Sequence, residues 1–560
     1  MASWSTACPD WSERLLAGRS LVPDLPLFLP ERDRALRIFN RLRLPDVIGM
    51  PPMSEAAGDW FRAIVGALFG AYDPATDRRM ISQVFLAVPK KNGKSTYAAA
   101  IMVVALIVNR RPNAEYLLIA PTIEIAAIAY RQAAGIIAAD AELAKLFHAQ
   151  RHLKMLTHRR TGATLQIKAA DTDVITGAKS TGILIDETHV FSSKSNAADV
   201  FTEVRGSLAA RPDGFMLQIT TQSKQPPQGV FKAELSLARD VRDGLVDLPL
   251  LPVIYELPKA LGEDGGWRAR RYWGAVNPNL GRSLDETFLE GALTAAEHAG
   301  PEALALFASQ HFNVEIGLAL RSDAWAGATY WLGAVDPTLT LESLIERSEV
   351  VVVGIDGGGL DDLLGLCVMG RDRATHAWLA WAHAWAHPDV LQKRQEIAST
   401  LRDFEAEGDL TVCATPTQDI EEVAAIVGRV AAAGLLPPEA AVGLDPAGVA
   451  AIIDALAGVG LTEKQLAAIP QGYRLSGAVW GSERKLKDGT LLHGGQNLMT
   501  WSVGNAKAVQ QGNAVLITKQ AAGKAKIDPL MAFFDAFQLL TRNPDAQGRS
   551  YVEDGEILMV

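Results

Sequence analysis

The sequence predicts two α/β domains in one chain, a P-loop domain followed by an RNase H-like domain. The first prediction rests on a strand, loop and helix that carry Gly93-Lys94-Ser95, and on a later strand that ends in Asp186-Glu187. The second rests on a β-branched run at 349–355 that ends in Asp356 and returns, after a Gly-rich turn, as another apolar strand. Apolar strands that alternate with helices between these motifs favour a mostly parallel sheet with helices on both faces.

Length and composition narrow the class of protein. A chain of 560 residues is too long for one ordinary domain, and its 48% hydrophobic content permits a large core. A net charge of −10 argues against a surface that is basic throughout, although a local basic groove stays possible. Three scattered cysteines predict no disulfide framework and no thiolate metal site, so we expect the protein to work in a reducing cytoplasm. We expect no signal peptide and no membrane span, because the longest apolar run, 98–108, is too short.

The P-loop prediction concerns phosphate chemistry. An apolar strand at 84–88 leads into a polar turn, and the Ala-rich stretch 96–108 has the composition of a helix. Backbone N–H groups at the start of that helix point at a phosphate, and the helix dipole favours its negative charge. Lys94 adds a charge for the β- and γ-phosphates, and the Ser95 hydroxyl can ligate Mg²⁺. The usual first glycine is replaced by Val88. The residues predicted to bind ATP with Mg²⁺ are Lys90, Lys91, Asn92, Gly93, Lys94, Ser95, Thr96 and Asp186.

Two further strand ends complete the predicted nucleotide site. Asp186 would hold Mg²⁺ through water, and Glu187 would polarise the attacking water, since parallel sheets place ligand chemistry at carboxyl ends of strands. The strand 215–221 ends in Thr220 and Thr221, which either sense hydrolysis beside the γ-phosphate or simply terminate the strand.

Other segments leave alternatives open. Trp60 and Phe61 either stack on an adenine or pack a helix face on the sheet, and the basic segment 151–160 either contacts phosphates or forms a solvated hairpin. The predicted boundaries are an N-terminal arm at 1–55, a P-loop ATPase domain at 56–243, a linker subdomain at 244–345, an RNase H-like nuclease domain at 346–545 and a C-terminal tail at 546–560.

Carboxylates dominate the second domain. Asp356, Asp445 and Asp528 come from separate predicted elements and could converge on one or two divalent ions that clamp a scissile phosphate. Oxygen ligands suit Mg²⁺ or Mn²⁺. Each aspartate alone could equally be a cap or a turn former. Asp362 and Asp535 are reserve candidates, and a surface or N-cap role is equally plausible for each.

Together these motifs resemble the large terminase subunit of tailed bacteriophages, a DNA-packaging motor, and in particular the HK97-like branch. The matching segments run in order from about residue 45 to 540. They are 87–95, 182–187, 219–221, 277–281, 354–356 with 361–363, 444–446, 493–495 with Trp501 and Asn505, and 527–530.

The resemblance implies an ATPase of the additional-strand, catalytic-Glu kind and a nuclease that cuts concatemeric DNA. It implies Glu187 as catalytic base, Thr220 and Thr221 as coupling residues, Ser95 and Asp186 at the ATPase Mg²⁺, and Asp356, Asp445 and Asp528 as catalytic ligands of Mg²⁺ or Mn²⁺. The implied partners are double-stranded DNA, a small terminase subunit and the portal protein of a procapsid, with the chain in a homo-oligomeric ring in the host bacterial cytoplasm.

Two other functions fit parts of the sequence. One is a P-loop nucleic-acid ATPase or helicase without nuclease activity, which never cuts DNA under any metal. The other is an inactive prophage remnant that serves as a binding scaffold, although Lys94, Asp186 and Glu187 argue against it.

Overall fold

The computed structural model describes residues 4–170, 179–193, 196–263, 265–316, 324–445, 450–519 and 526–546. The chain forms two compact units, Met1–Ile316 and Gly317–Val560. The predicted C-terminal tail lies outside the described residues beyond position 546, as does Pro446 of the predicted 444–446 motif. No helix in the described part of the chain combines the length and apolar character needed to cross a bilayer.

The first unit contains one large sheet, a two-stranded ribbon and surrounding helices. Its strands are β1 (Tyr72–Asp73), β2 (Arg78–Arg79), β3 (Gln83–Ala87), β4 (Glu115–Ala120), β5 (Phe147–Gln150), β6 (Met155–His158), β7 (Thr164–Ala169), β8 (Ser180–Asp186), β9 (Phe215–Thr220) and β10 (Leu250–Ile254). Its α-helices are α1 (Trp11–Leu16), α2 (Leu29–Arg41), α3 (Met53–Ala56), α4 (Asp59–Gly70), α5 (Lys94–Val108), α6 (Ile123–Ala138), α7 (Ala141–Leu146), α8 (Ala197–Leu208), α9 (Gly229–Arg242), α10 (Lys259–Glu263), α11 (Trp273–Val276), α12 (Glu286–Ala299) and α13 (Pro301–Phe312).

The large sheet has the strand order β10-β3-β9-β8-β4-β7-β6-β5. The strands from β10 to β7 are parallel, and only β6 and β5 run antiparallel to their neighbours. Strand β9 lies between β3, which leads into the P-loop, and β8, which ends in Asp186. An additional strand at this position is the arrangement that the resemblance implied, so the predicted fold of the first domain is confirmed.

The central strands and α5 are buried because their sequences are apolar on all sides. Every residue of β8, from Ser180 to Asp186, is buried, and so is every residue of α5 from Ala98 to Leu106. Near-continuous apolar strands are typical of parallel sheets covered on both faces.

Residues 244–316 belong to the first unit. Strand β10 pairs with β3 in parallel register, from Leu250 opposite Gln83 to Ile254 opposite Ala87. The division of the chain near residue 316 falls within the predicted linker subdomain, 244–345. The basic segment 151–160 spans the turn of the β5–β6 hairpin, where Arg151 and Leu153 are exposed.

The second unit contains a seven-stranded sheet, a separate hairpin and helices. Its strands are β11 (Ser348–Gly357), β12 (Leu363–Asp372), β13 (Trp378–Ala386), β14 (Leu410–Val412), β15 (Val442–Leu444), β16 (Leu466–Ala468), β17 (Leu491–His493), β18 (Ala506–Gln511) and β19 (Ala514–Lys519). Its α-helices are α14 (Ala328–Trp331), α15 (Leu341–Arg347), α16 (Pro388–Lys393), α17 (Gln395–Glu407), α18 (Gln418–Ala432), α19 (Ala450–Gly458), α20 (Ser476–Lys487), α21 (Asn497–Asn505) and α22 (Asp528–Leu540).

The second sheet begins with the antiparallel meander that the sequence predicts. Strands β11, β12 and β13 pair consecutively, and β15 and β16 continue the sheet in parallel from β11, in the order β13-β12-β11-β15-β16. Helix α22 packs on β11 and β12 with Phe533, Phe534 and Phe537 buried. This order of three antiparallel and two parallel strands is RNase H-like, so the fold prediction for the second domain is confirmed.

Candidate nucleotide and nuclease sites

The P-loop places a lysine ammonium beside a carboxylate at the carboxyl edge of the first sheet. Gly93 has a φ of +76°, a left-handed conformation that glycine adopts without steric cost, and α5 begins at the next residue. Lys94 is 8% exposed, and its Nζ lies 3.1 Å from Glu187 Oε1. Ser95 and Thr96 occupy the first turn of α5 and are half-buried. The structure therefore brings the two predicted motifs, 93–95 and 186–187, into contact.

Asp186 and Glu187 have opposite electrostatic environments although they are adjacent. Burial, reinforced by the neighbouring charge of Glu187, raises the pKa of Asp186 to about 6, against a smaller effect of Lys94 and a hydrogen bond with Ser95. Burial also disfavours ionisation of Glu187, but Lys94 and His189 outweigh it and lower the pKa of Glu187 to about 2. Glu187 is therefore a carboxylate at neutral pH. It has a φ of +56°, which is uncommon for a side chain of this kind and is found at functional sites.

His189 connects the predicted catalytic base to the predicted coupling residues. Its Nδ1 lies 3.2 Å from Glu187 Oε2 and 3.2 Å from Thr220 Oγ1, and its backbone N–H donates to Thr220 Oγ1 at 3.0 Å. The ring packs edge to face on Phe231. Sequence reasoning missed His189, whose only local signal is its position two residues after Glu187.

Thr220 and Thr221 are both fully buried at the end of β9. The Thr220 hydroxyl donates to the carbonyl oxygen of Thr221 at 3.0 Å, so it is engaged on both sides, by His189 and by the chain that follows. That chain is fixed to α13, because Gln310 Nε2 donates to Gln222 O at 3.0 Å. The carbonyl oxygen of Gln310 in turn accepts from the backbone N–H of Lys90 at 2.9 Å. One helix thus contacts both the P-loop and the segment after the threonines.

A second clamp on the P-loop comes from the predicted motif at 277–281. Asn92 is fully buried, and its Nδ2 donates to Asn277 Oδ1 at 2.8 Å while its Oδ1 accepts from the Asn279 backbone at 3.0 Å. The Asn279 side chain accepts from Trp60 Nε1 at 2.9 Å and donates to the Tyr97 hydroxyl at 2.8 Å. The side chain of Asn92 therefore shapes the loop. Trp60 and Phe61 are buried in the core, so the interior-packing alternative for these two rings is correct.

Positive charge accumulates on the outer side of the loop. Burial, followed by repulsion from Lys224, lowers the pKa of Lys90, and Lys94 and Lys91 add to the repulsion. Lys90 is half-buried and Lys91 is exposed. An anion bound here would relieve this repulsion, which makes the loop electrostatically suited to a polyphosphate.

The second unit brings the three predicted nuclease aspartates to one end of its sheet. Asp356 is the second-last residue of β11 and follows Ile355, which pairs with Leu444 in parallel register, so Asp356 and Asp445 occupy equivalent positions at the carboxyl ends of adjacent strands. Asp528 opens α22 and is 4% exposed. The turn after Asp356 has φ angles of +87°, +112° and +116° at residues 357–359, which requires glycine, and a Cβ at Gly357 would lie 3.4 Å from Asp528 Oδ1.

Further polar groups surround these aspartates. Asp535 is fully buried and accepts from Gln471 Nε2 at 3.0 Å and 3.2 Å; burial and the charge of Asp445 raise its pKa to about 8 in spite of that hydrogen bond. Lys526, which sequence reasoning missed, is 1% exposed and forms an ion pair with Asp362. Its pKa is lowered by burial, against the attraction of Asp528 and Asp361.

A divalent metal fits the chemistry of this donor set. The convergent side chains carry carboxylate oxygens, which are the ligands of Mg²⁺ and Mn²⁺. Among the residues that the structure describes, no three His, Cys, Asp or Glu side chains are close enough to form a ready-made metal cluster. Ligation would therefore require the aspartates to move towards a shared ion. In the first unit, the Ser95–Asp186 pair likewise offers oxygen donors, and Asp186 Oδ1 is buried with no hydrogen-bond partner among described residues.

His493 has a structural role. Its Nε2 lies 2.8 Å from the carbonyl oxygen of Trp331, its Nδ1 accepts from the Gly495 backbone at 3.1 Å, and its ring stacks on Trp331 with centroids 3.9 Å apart. Both nitrogens are thus occupied within the protein. Asn505 belongs to the same matching segment of the sequence as His493. Its Nδ2 donates to the carbonyl oxygen of Lys526 at 3.1 Å, which connects α21 to the segment before Asp528.

The nucleotide and carboxylate sites coincide with two matched family models. Residues 59–236 match the terminase large subunit ATPase domain, and residues 260–543 match the terminase large subunit endonuclease domain. This chain belongs to the terminase large subunit family. As a terminase large subunit, it combines an ATPase with an endonuclease in a DNA-packaging motor. The endonuclease match argues against the alternative of a nucleic-acid ATPase or helicase without nuclease activity.

Solved structures of large terminases resemble this terminase chain. The large terminase of bacteriophage HK97 is 18% identical, with 90% of this chain and 99% of that chain covered and a TM-score of 0.47. The large terminase of a thermophilic bacteriophage, in complex with ADP, is 12% identical over 84% and 94% of the two chains, with a TM-score of 0.30. The large terminase nuclease of thermophilic phage G20c is 13% identical over 34% and 81%, with a TM-score of 0.23. Among curated proteins, no sequence matches this chain.

Proposed function

We propose that Lys94, Glu187 and Asp186 form the ATP-hydrolysing centre of this terminase. The observation that supports the proposal most strongly is the 3.1 Å contact between Lys94 Nζ and Glu187 Oε1 at the carboxyl edge of the sheet. Glu187 is a carboxylate at neutral pH, and an arriving γ-phosphate would attract Lys94 away from it. The released carboxylate could then accept a proton from the attacking water.

The remaining P-loop residues bind and orient the nucleotide. The backbone N–H groups at the start of α5 would hold the phosphates, with Lys90 and Lys91 adding positive charge. Ser95 and Asp186 would hold Mg²⁺, directly and through water respectively. When bound, Mg²⁺ supplies neutralisation of the charge that develops on the β- and γ-phosphate oxygens. Thr220 and Thr221 couple hydrolysis to motion through the connection to Glu187 that His189 provides.

Glu187→Gln tests the ATPase centre. The amide cannot accept the proton, so we expect hydrolysis to fall at least about 100-fold, at the low end of general-base contributions. Binding of a fluorescent ATP analogue should persist, because the lysine and the backbone donors remain. A matched control is Glu142→Gln at an exposed position of α7, which should leave the rate unchanged. Normal hydrolysis by Glu187→Gln would disprove the assignment of the base.

For the endonuclease, we propose Asp356, Asp445 and Asp528 as ligands of Mg²⁺ or Mn²⁺. Their common position at one end of the second sheet supports this assignment. The aspartates would hold the ion against the scissile phosphate, and Lys526 would hold Asp362 in place at the edge of the site. When bound, the divalent ion supplies activation of a water and stabilisation of the leaving oxygen.

Asp528→Asn tests the nuclease centre in a Mn²⁺-dependent plasmid-cleavage assay. The amide keeps the volume of the side chain and removes the charge that attracts a cation. We expect cleavage to fall at least about 100-fold, with the direction set by loss of one hard anionic ligand. Asp454→Asn, on helix α19 of the same unit, serves as the matched control and should cut normally. Normal cutting by Asp528→Asn, Asp356→Asn and Asp445→Asn alike would disprove this metal site.

We further propose that the chain translocates double-stranded DNA into a procapsid and cuts concatemers in the host bacterial cytoplasm. Its partners would be a small terminase subunit and the portal protein, with the chain in a homo-oligomeric ring. Membership of the terminase large subunit family supports this proposal. The test is ATP-dependent protection of DNA from DNase in a mixture of purified chain, small subunit and procapsids. Protection without ATP, or none with any procapsid of its own phage, would contradict it, and the inactive-remnant alternative would gain.

A further inference from the structure

An exposed aromatic and basic stripe follows α20 and the turn before it. Tyr473, Gly477, Trp480, Arg484 and Lys487 recur at intervals of three and four residues, which places them on one helix face, and all five are exposed. Tyr473 is 56% exposed and Trp480 is 44% exposed. The opposite face is buried in the core of the second unit, through Leu475, Ala478, Val479 and Leu486. A large exposed tryptophan beside a tyrosine on an otherwise well-packed helix is a feature that folding does not explain.

The stripe is positively charged. Arg474, Arg484 and Lys487 are exposed on or beside it, and the Arg474 guanidinium lies 5.8 Å from the centre of the Tyr473 ring. The one acidic residue between 473 and 487 is Glu483, which is half-buried and lies outside the stripe; burial raises its pKa. Because the whole chain has a net charge of −10, this excess of positive charge does not follow from composition. Its charge is complementary to a polyanion.

The stripe begins next to the candidate nuclease centre. Gln471, two residues before Tyr473, donates from Nε2 to both carboxylate oxygens of Asp535. Asp535 in turn interacts electrostatically with Asp445. Helix α20 has 12 residues and is therefore about 18 Å long. A DNA backbone with one phosphate at the aspartates would have several neighbouring phosphates within that length.

We propose that this stripe is a contact surface for duplex DNA that holds the substrate beside the nuclease centre. The inference rests on the proposed nuclease centre and goes beyond it, because it assigns a surface outside the carboxylates. Arg474, Arg484 and Lys487 pair with phosphates, and the rings of Tyr473 and Trp480 pack against the sugars between them. Such contacts position the duplex without reading its sequence. Tyr, Trp and Arg also mark protein interfaces, but the charge and the connection through Gln471 favour DNA.

The test measures DNA binding and DNA cutting separately on the full-length chain. Binding of a fluorescent 30-base-pair duplex is titrated in EDTA, where no metal-dependent cutting occurs, at several salt concentrations. The variants are Arg474→Glu/Arg484→Glu and Tyr473→Ala/Trp480→Ala. The control, Arg402→Glu/Arg429→Glu, makes the same change in net charge on exposed positions of α17 and α18. Plasmid cleavage with Mn²⁺ is then measured over a range of DNA concentrations, and thermal unfolding confirms that each variant is folded.

We expect Arg474→Glu/Arg484→Glu to weaken duplex binding at least about tenfold. The negative slope of log K against log salt should become less steep by about two. The aromatic variant should bind more weakly with an unchanged slope, and both should need more DNA for half-maximal cutting. The control should behave as wild type. Unchanged affinity and slope in both stripe variants would overturn the inference and assign the stripe to a protein partner. Wild-type protein that binds DNA but never cuts it would instead count against the proposed nuclease centre.

Discussion

At the scale of single residues, His189 is important because it contacts both the proposed catalytic base and a proposed coupling residue. Its Nδ1 lies within 3.2 Å of both Glu187 Oε2 and Thr220 Oγ1. If Glu187 moves during hydrolysis, the His189 ring would therefore transmit that movement to Thr220 at the end of β9. This makes His189 a positioning residue, because it acts through its contacts with Glu187 and Thr220.

Substitution of His189 tests this role. His189→Ala should lower the kcat of ATP hydrolysis about tenfold or more, the effect of losing one hydrogen bond to a charged group, with little change in KM. His189→Asn retains a polar group near the position of Nδ1 and should recover part of the rate. Steady-state kinetics with and without DNA measures both quantities. An equal loss in the two variants, or a change in KM alone, would show that the imidazole only fills space.

The pKa of His493 predicts how the stability of the second unit depends on pH. Burial lowers the pKa of His493 to about 4, from an ordinary value of 6.5, because the neutral ring is the form that fits between Trp331 and Gly495. Between these pH values the unfolded chain binds the proton more readily, so stability is present above about 6.5 and is lost as the pH falls towards 4. A shift of this size corresponds to about 3 kcal/mol.

Urea unfolding followed by tryptophan fluorescence at pH 5 and pH 7.5 checks this prediction. His493→Gln cannot titrate in this range, so its second-unit transition should depend less on pH than that of the wild type. His376→Gln, an exposed histidine in the same unit, should keep the wild-type dependence. Identical pH dependence in wild type and His493→Gln would show that other groups control acid stability.

At the scale of elements, the P-loop is held from outside its own strand and helix. The segment 277–283 binds the loop through Asn92 and through Ser283, whose hydroxyl donates to Lys91 O at 2.6 Å. The helix α13 binds it through Gln310. The loop has Val88 in place of the usual glycine, and these contacts provide an alternative source of rigidity. They are made by residues more than 180 positions away along the chain.

Asn279→Ala tests this clamp. It removes the acceptor of Trp60 Nε1 and the donor to Tyr97, so buried polar groups lose their partners at a cost of about 1–3 kcal/mol each. We expect a lower unfolding temperature of the first unit and weaker ATP binding by isothermal titration. Asn109→Ala removes two local hydrogen bonds with Arg111 in the same unit and serves as control. Unaltered ATP affinity in a folded Asn279→Ala protein would show that the clamp does not shape the site.

Local patterns and distant contacts differ in how well sequence predicts them. The strand, turn and strand around Asp356 are predicted because apolar β-branched runs, Gly-rich turns and strand-end carboxylates are local signals. The contact of Lys94 with Glu187 follows from the parallel arrangement of the strands, which the alternation of apolar strands with helices in the sequence predicts. The pairing of β10 with β3 in the first sheet is not predictable in this way, because a short apolar run does not indicate which strand it pairs with. Lys526 carries no local signal, and the segment 277–281 is recognised only by resemblance, since Lys526 and Asn279 each act through side-chain contacts across the fold.

At the scale of the whole molecule, the proposed ATPase and nuclease centres lie in different compact units, each with its own sheet and core. The described hydrogen bonds of Lys94 and Glu187 stay within the first unit, and those of Gln471, Asp535 and Lys526 stay within the second. Each centre should therefore keep its chemistry when the other is disabled.

Lys94→Ala and Asp356→Ala test this independence. Lys94→Ala removes the side chain proposed to bind the triphosphate, so ATPase activity should be lost while Mn²⁺-dependent plasmid cleavage stays within about twofold of wild type. Asp356→Ala removes a carboxylate proposed to bind the metal, so cleavage should be lost while ATPase activity is retained. The two activities are measured on the same preparations, with thermal unfolding as a check on folding. Loss of both activities in either folded variant would show that one centre depends on the chemical state of the other, which two separate sites do not predict.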